Sequence, residues 1–575
     1  MAKTFDDYRD EDDDTVASYT ERDKMFKELE KIFFMRWPEG EQVRNAIQSA
    51  MLTLSPDPRN QLIGAVRLMT ATDPVFKVPG DEFGEFSTSL EEWCAANWQS
   101  AGRLAGSPIH YDLVMSALLY GEAHLAIKST AEMSKLQKGR GDAYAKRVDK
   151  AARRTPYLYT ALYPPSCYPK FDDLGLYCHV RECETTAERL INAYGKKAED
   201  AMTAMGKSGK DKVTFRERWD LDKWLVYVVK SDVKIVDEDN SMGFIPIEAC
   251  VTEGSYNLFS NTAEQRMPFL YGVYKSDMWG KQNLALTVMA TMAFLIGANP
   301  MYVYKRADPS KELNIDVSKP GLVTIDQGEE FGPMNKAIID PSIREVYAVA
   351  SQSVVESTMY KQALGAPLGG SNYSYTALLS QSGRLPLVSP QKRLEWLIGS
   401  AMEKSLDWLR GDKEKKSKAY ANGKPVEIDL EAIGEDVTIT CKLSVKLPQE
   451  ALQMAAIASS FRQGNPLMPD EWIVTEILGE EAPEKIKRKI WSEKAADAMA
   501  QVFMQQQIQG IVQQAQQQAQ AQTAPPQGGG GAPPPPEELP GMGEGSEPPL
   551  EPMPNIPSMP SAMPGQAQGV EGLNV

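Results

Sequence analysis

Apolar residues along the chain recur at helical spacing, alternate at strand spacing or run together, and the three patterns occupy different stretches. Residues 21–54 read as helix, with Phe26, Leu29, Ile32 and Phe33 along an amphipathic run, and SPDPRN at 55–60 is turn chemistry. Residues 86–105 and 108–121 read as two further helices, after which Tyr120–Thr130 turns toward strand alternation. From Tyr157 onward, short apolar and aromatic runs are broken by Pro164-Pro165 and by Asp172-Asp173-Leu174-Gly175. Trp224–Gly254 alternates strands with turns, so this part predicts a β-rich subdomain of roughly 100 residues.

Three long helices organise the middle of the chain. The first spans about Ser276–Ala298, with Ser276 or Asp277 as N-cap and Gly297 and Asn299-Pro300 as stop. Its second half is almost uniformly apolar, which predicts heavy burial. The second spans about Pro341–Leu364 and ends at Gly365 and Pro367; Val346, Ala350, Val354 and Met359 approximate one apolar face. Short strands and turns fill 300–340 between them, and Gly365–Tyr375, GAPLGGSNYSY, is a flexible stretch after them. The third helix, about Ser389–Arg410, carries Leu394, Leu397, Ile398, Met402 and Leu406 on one side. Strands return at 424–447, then helices at about 449–463, 469–479 and 483–522. The last of these is Gln-rich, with Met504, Ile508, Ile511, Val512, Ala515 and Ala519 forming one narrow apolar stripe suited to a neighbour. The Pro- and Gly-rich segment 523–575 cannot bury a core and is expected to be disordered or extended.

Composition narrows the classes. A length of 575 residues allows about three or four domains. A hydrophobic content of 42% excludes wholesale disorder. The net charge of −16 argues against a protein that coats nucleic-acid phosphates. That charge sits at the ends: residues 1–24 carry −5 and residues 523–575 carry −6, leaving the body 25–522 close to balance at −5. The longest apolar run, Leu284–Ala298, has 15 residues and falls short of the ~18 to 20 a membrane span requires. The acidic, polar N-terminus is no signal peptide. Six cysteines without a C-x-x-C pair read as reduced structural thiols of a cytosolic protein, and three histidines make a His-rich metal site improbable.

The chain offers no positive case for an enzyme. Gly206-Lys207-Ser208 ends a phosphate-loop pattern, but position 201 is Ala and no strand precedes it. The paired carboxylates Asp172-Asp173 and Glu329-Glu330 read as turn and surface residues, because acid–base work needs a pocket that separates their pKa values. Neither G-x-S-x-G nor H-E-x-x-H occurs. Two basic clusters, Lys135 to Arg154 and Lys413 to Lys418, read first as solvated faces and second as contacts for nucleic acid or an acidic partner.

The order of elements resembles a known family. YGEAHLAI leads to a β-rich section with YPPSCYPKFDDLG, followed by a helix carrying Gln282-Asn283-Leu284 and closing on Ala298-Asn299-Pro300. KPGLVTIDQGEEFGPMN, a second long helix, GAPLGGSNYSYTALLSQSG and a third long helix come next. The chain ends on LPQEALQMAAIASSFRQGNPLMPDEWIVTEILG and the Gln-rich helix. Over roughly 25–520 this order is similar to that of the portal, or head–tail connector, proteins of tailed double-stranded DNA bacteriophages.

The resemblance implies an α+β ring subunit without catalytic, cofactor-binding or metal-binding residues. It divides the chain into an acidic N-terminal arm (1–24), a wing (25–275, helical then β-rich), stem helices (276–299 and 341–364) and a clip (300–340). A tunnel loop (365–375), a long wing helix with closing strands (376–447), helical crown (448–522) and disordered tail follow. The loop would use Gly365, Gly369 and Gly370 for mobility, Pro367, Leu368 and Tyr373 for contacts, and Asn372 as a polar tip. Lys305 and Arg306 in the clip would touch DNA or the packaging motor. Implied partners are further copies of the chain in a ring of about twelve, the duplex passing through it, the terminase large subunit, a head–tail adaptor, and the major capsid and scaffolding proteins. The protein would be assembled in the host bacterial cytoplasm and reside in the virion at the portal vertex, with no membrane contact. Two alternatives remain: another virion structural protein, such as a scaffold or head-completion component, and a divergent nuclease or DNA-processing enzyme.

Overall fold

The acidic N-terminus folds back onto the protein's own sheet. In the computed structural model the described residues are 3–443, apart from 47–49, 79–84, 138–142, 230, 253–265, 298–301, 306–329, 334–340, 360–383, 413–414, 422–423, 432 and 434–436, together with 491 and 494. Residues 1–24, expected as an arm, form α1 (Phe5–Ser18) and the start of α2 (Thr20–Phe33). Thr4 caps α1 in a reciprocal box with Asp7, which satisfies amides the first turn leaves free. The expected single helix over 21–54 breaks at Phe34, because Met35 takes a left-handed φ of 55° and Pro38 follows. A short α3 (Gly40–Ala46) comes next. The expected turn at 55–60 is a helix start: α4 (Asp57–Met69) uses Pro58 in its first turn, where a missing N–H costs nothing.

The strand β1 (Val75–Lys77) leads to α5 (Glu85–Ala105) and α6 (Ile109–Tyr120). Gly121 ends α6 at φ 75°, and a Cβ there would stand 3.1 Å from the Pro268 nitrogen, so glycine meets both the backbone and the space. The chain then enters β2 (Glu122–Ser129), the middle strand of an antiparallel sheet with β3 (Tyr157–Leu162) and β9 (Ile247–Val251). Between β2 and β3, the basic stretch 135–155 is partly helical. It includes the end of α7 (Thr130–Leu136) and all of α8 (Ala143–Ala152), which buries Ala145, Val148 and Ala151 and keeps its lysines outward.

A second sheet is an antiparallel meander of β4 (Cys167–Asp172), β5 (Gly175–Thr186), β6 (Lys212–Asp220), β7 (Lys223–Val228) and β8 (Lys234–Asp239). Pro169 is tolerated because β4 is an edge strand. The β-rich section is interrupted by α9 (Ala187–Tyr194) and α10 (Lys196–Ala204), whose Leu190, Tyr194, Ala198 and Met202 pack on Val213, Phe215, Val226 and Val236 of the sheet. Strand period places Arg216 and Arg218 of β6 on the opposite face. There they meet α1: Arg218 bonds Asp12 at 2.6 Å and Glu11 at 3.3 Å, and Arg216 bonds Asp13 at 2.5 Å.

The largest core gathers α2, α4, α5, α6, β2 and β3 around α14 (Leu385–Gly411), which buries Leu394, Leu397, Ile398, Met402 and Leu406 as its periodicity predicts. Gly399 lets the strand end at Ile439 approach, since a Cβ would lie 2.5 Å from the Ile439 carbonyl oxygen. The hairpin β12 (Lys416–Ala421)–β13 (Lys424–Asp429) packs on α5, and β14 (Thr440–Lys442) pairs with β1, joining the two ends of this unit. Before α14 come α11 (Tyr271–Ser276), α12 (Met278–Gly297), a ribbon of β10 (Tyr302–Lys305) and β11 (Glu330–Pro333), and α13 (Pro341–Glu356). The architecture is α+β. The chain divides into Met1–Ile486 and Lys487–Val575; of the second unit only Trp491 and Lys494 are described, both helical. The expected crown (448–522) and tail (523–575) otherwise lie outside the described residues.

Candidate functional site

The structure describes part of what the sequence singled out. Gly365, Pro367, Leu368, Gly369, Gly370, Asn372 and Tyr373 lie outside the described residues, as does Arg306. Lys305 closes β10 opposite Glu330 across the antiparallel ribbon. In sequence that ribbon is bracketed by α12 and α13, which pack against one another.

The heavy burial expected for the second half of α12 does not hold among its described side chains. Its buried positions include Gln282, Asn283, Thr287 and Thr291, whereas Leu284 is 44% and Phe294 42% exposed. The cause is the neighbouring segment 51–55, which runs beside the helix and pairs with no strand among the described residues. Asn283 Oδ1 accepts from the Ser55 amide at 2.8 Å, Thr287 Oγ1 from the Thr53 amide at 3.1 Å, and Thr291 Oγ1 from the Met51 amide at 2.9 Å. The register follows from geometry. Four helical residues rise ~6.0 Å and two extended residues ~6.6 Å, so side chains at every fourth position reach every second amide. Trp279 Nε1 donates to the Ser55 carbonyl and Gln282 Nε2 to Asp57, completing the seam. On α13, Ala350 and Val354 are buried, but Val346 is 50% exposed, against the expected apolar face, and Val349 60%. The pair therefore spends polar groups inward and presents Leu284, Phe294, Val346 and Val349 to solvent. The spacing Asn283–Thr287–Thr291 was the readable signal for this seam.

A second concentration of chemistry lies where the two sheets meet. Glu122 and His124 share one face of β2 and are buried. Arg22 on α2, also fully buried, donates from Nη1 to Glu122 Oε1 at 2.9 Å and to the Cys167 carbonyl at 2.7 Å, and from Nη2 to Asp23 at 2.7 Å. Arg266 Nε reaches the other Glu122 oxygen at 2.5 Å. Tyr19 stacks under the Arg22 guanidinium, 4.3 Å from the ring centre, and its hydroxyl donates to the Pro169 carbonyl. Burial alone would push the Glu122 carboxyl up, but Arg22 and Arg266 outweigh it and hold it well below the usual range. Burial pushes the Tyr19 hydroxyl and the Cys167 thiol each up to about 12. Behind Glu122 stand His124, His179 and Cys167, brought together from residues 124 to 179. Sequence reading took YGEAHLAI as a strand. The missed signal was a charged residue and a histidine two apart on an otherwise apolar strand, which burial tolerates only with partners.

The remaining motifs resolve structurally. Gly206-Lys207-Ser208 joins a helix to a strand, the reverse of a phosphate loop's strand-to-helix order. Lys418 pairs with Glu427 at 3.0 Å and Lys415 with Glu431 at 2.9 Å, so that basic cluster is partly neutralised by its own hairpin. All six cysteines are free thiols. No helix among the described residues is long and apolar enough to cross a membrane.

No family model matches the chain, and no curated protein does. Among solved structures, a chain of "Neck of empty GTA particle computed with C6 symmetry" is similar at 12% identity and a TM-score of 0.40, covering 76% of this chain and 93% of that one. A chain of "Virion of native gene transfer agent (GTA) particle" gives 12% identity and a TM-score of 0.38, covering 78% and 92%. One of "Neck of native GTA particle computed with C12 symmetry" gives 10% identity and 0.33, covering 76% and 98%. With every TM-score below 0.5, these likenesses carry no argument about the role of the chain.

Proposed function

We propose that the protein is a portal subunit: a non-catalytic component that assembles into a ring at one capsid vertex and conducts double-stranded DNA during packaging and ejection. The observation that carries this reading is the α12–α13 pair. It turns Asn283, Thr287 and Thr291 onto the backbone of 51–55 and leaves Leu284, Phe294, Val346 and Val349 outside, which costs free energy until a second copy covers them. The β10–β11 ribbon between the two helices supports the same reading, as the short clip that interrupts a stem. The β1–β14 pairing supports one wing built from both flanks of that stem. Near-balanced charge over 25–522 suits a conduit, because dense Lys/Arg pairing to phosphate would hold the duplex in place. In this reading Gly365–Tyr375 is the loop that meets the duplex. Lys305 and Arg306 contact the terminase motor and later the adaptor, and the 448–522 helices form a crown among capsid and scaffolding proteins.

Electron microscopy of the purified full chain tests this. Rings of about a dozen copies with an axial hole wider than the ~20 Å duplex are expected. A Leu284→Gln, Val349→Gln double variant should keep the monomer's circular dichroism and lose the rings. A closed oligomer without an axial hole, or rings indifferent to that variant, would overturn the reading and favour another virion structural role.

A further inference from the structure

Three metal-ligating side chains converge in the protein interior from three strands. His124 belongs to β2 of the three-stranded sheet, and Cys167 and His179 to the neighbouring strands β4 and β5 of the five-stranded sheet. All three are buried, and Cys167 Sγ and one ring nitrogen of each histidine lie within 4.8 Å of one another. We propose that these residues form a structural binding site for one Zn2+ ion per chain, stapling the two sheets together beneath α2.

The distances carry the proposal. His124 Nδ1 and His179 Nε2 are 3.4 Å apart, long for a hydrogen bond between ring nitrogens. The edge of a tetrahedron whose metal–nitrogen bonds are ~2.05 Å is ~3.3 to 3.4 Å. The imidazole planes are inclined at 70° with centroids 5.4 Å apart, close to the ~5.2 Å expected when two rings aim at one tetrahedral ion. Glu122 Oε1 sits 3.3 Å from His124 Nε2, the carboxylate–histidine arrangement that holds the proton on the far nitrogen and leaves Nδ1 bare for a metal. The thiol of Cys167 points its proton at the Tyr163 carbonyl oxygen, 3.4 Å away. A sulfur–nitrogen tetrahedral edge is ~3.6 Å, so Sγ closes in by up to about 1 Å when it binds.

The donor set selects the ion. Two imidazoles and a thiolate favour Zn2+ over the hard, oxygen-seeking Mg2+ and Ca2+. Binding exchanges the Cys167 thiol proton for the metal: Zn2+ enters, the S–H bond breaks, a Zn–S bond forms, and one proton leaves to solvent. Both histidines bind as neutral rings. Arg22 and Arg266 are already matched by Glu122 and Asp23, so the incoming charge meets a largely neutral shell, and a water completes the fourth position.

The test uses the full chain purified without chelator. Elemental analysis should find about one zinc per chain. After metal removal and titration with CoCl2, the near-ultraviolet thiolate-to-cobalt band should grow to one equivalent, with the intense visible bands of a tetrahedral ion. Cys167→Ser, nearly isosteric, should abolish the thiolate band and most of the zinc while circular dichroism stays unchanged. His179→Gln should lower the zinc content independently. A folded wild-type chain that takes up neither zinc nor cobalt at stoichiometric addition would overturn the proposal. So would a folded Cys167→Ser variant that retains the full zinc content and the wild-type cobalt spectrum.

Discussion

The seam between α12 and the extended segment 51–55 predicts a graded set of losses. Replacing Asn283 with Leu keeps the volume and removes the acceptor for the Ser55 amide; Thr287→Val and Thr291→Val do the same for Thr53 and Met51 with isosteric side chains. The cost of each change depends on whether water can take the lost partner's place. Ser55 is 3% exposed, so its orphaned N–H loses a hydrogen bond outright and should cost about 1 to 3 kcal/mol. Thr53 is half-buried, and water replaces part of the bond, for about 1 kcal/mol. Met51 is 44% exposed, and the loss there should be about 0.5 kcal/mol or less.

Hydrogen exchange at these amides is the fitting assay, since it reads local opening and does not require the whole chain to unfold in two states. At 1.4 kcal/mol per factor of ten, Ser55 protection should fall about 5- to 150-fold in Asn283→Leu, with a smaller fall at Thr53 in Thr287→Val and little change at Met51 in Thr291→Val. Equal losses at all three sites, or a reversed order, would refute the idea that these side chains replace a missing strand partner.

The docked N-terminus gives two further expectations. Asp12→Ala takes from the buried Arg218 its 2.6 Å partner and from Tyr227 its acceptor, while Glu11 and Asp220 still hold the guanidinium. That intermediate loss should cost about 2 to 4 kcal/mol and expose α1 to proteolysis first; an α1 that stays as resistant as in the wild type would contradict the clamp. Acid should act through Glu11. Partial burial pushes its carboxyl up, but the Lys3 hydrogen bond, Arg218 and Lys170 pull it down to about 2. The unfolded chain then takes the proton first, so the contribution is complete above about pH 4.5 and is lost as pH falls toward 2. Allowing for solvent screening, it amounts to about 1 to 2 kcal/mol. The stability gap between wild type and Glu11→Gln should shrink over that window, and a constant gap would refute the assignment.

Periodicity made the helical frame legible. α5, α6 and α14 lie where their apolar spacing puts them, because each buries its stripe against the main core. What composition concealed was pairing. Residues 1–24 read only as an acidic arm because a count of charge has no partner in it; Arg216 and Arg218, which pair with it, lie some two hundred positions away. Helices α9 and α10 went unread inside the β-rich section because each is only eight or nine residues long, about two turns, too short for a periodic signal to stand out. The histidines were discounted for their number, but proximity in the fold does not follow from abundance: the strands carrying His124 and His179 meet across two sheets.

The inward polar stripe of α12 follows from the same physics in a sharper form. Hydrophobic burial is worth about 25 cal/mol per Å2, so placing Leu284 and Phe294 inside would ordinarily win. An extended backbone pressed against that helix changes the balance, because each unpaired buried amide costs about 1 to 3 kcal/mol, as much as a buried leucine returns. The buried Ser55 amide facing Asn283, with smaller contributions from the Thr53 and Met51 amides facing Thr287 and Thr291, turns the polar stripe inward. In the proposed ring, a repeated copy of the chain would cover the apolar residues displaced outward at each subunit boundary. Rings lost in the Leu284→Gln, Val349→Gln variant, with the α12 seam still protected from exchange, would separate the two faces of one helix into an internal and an assembly role.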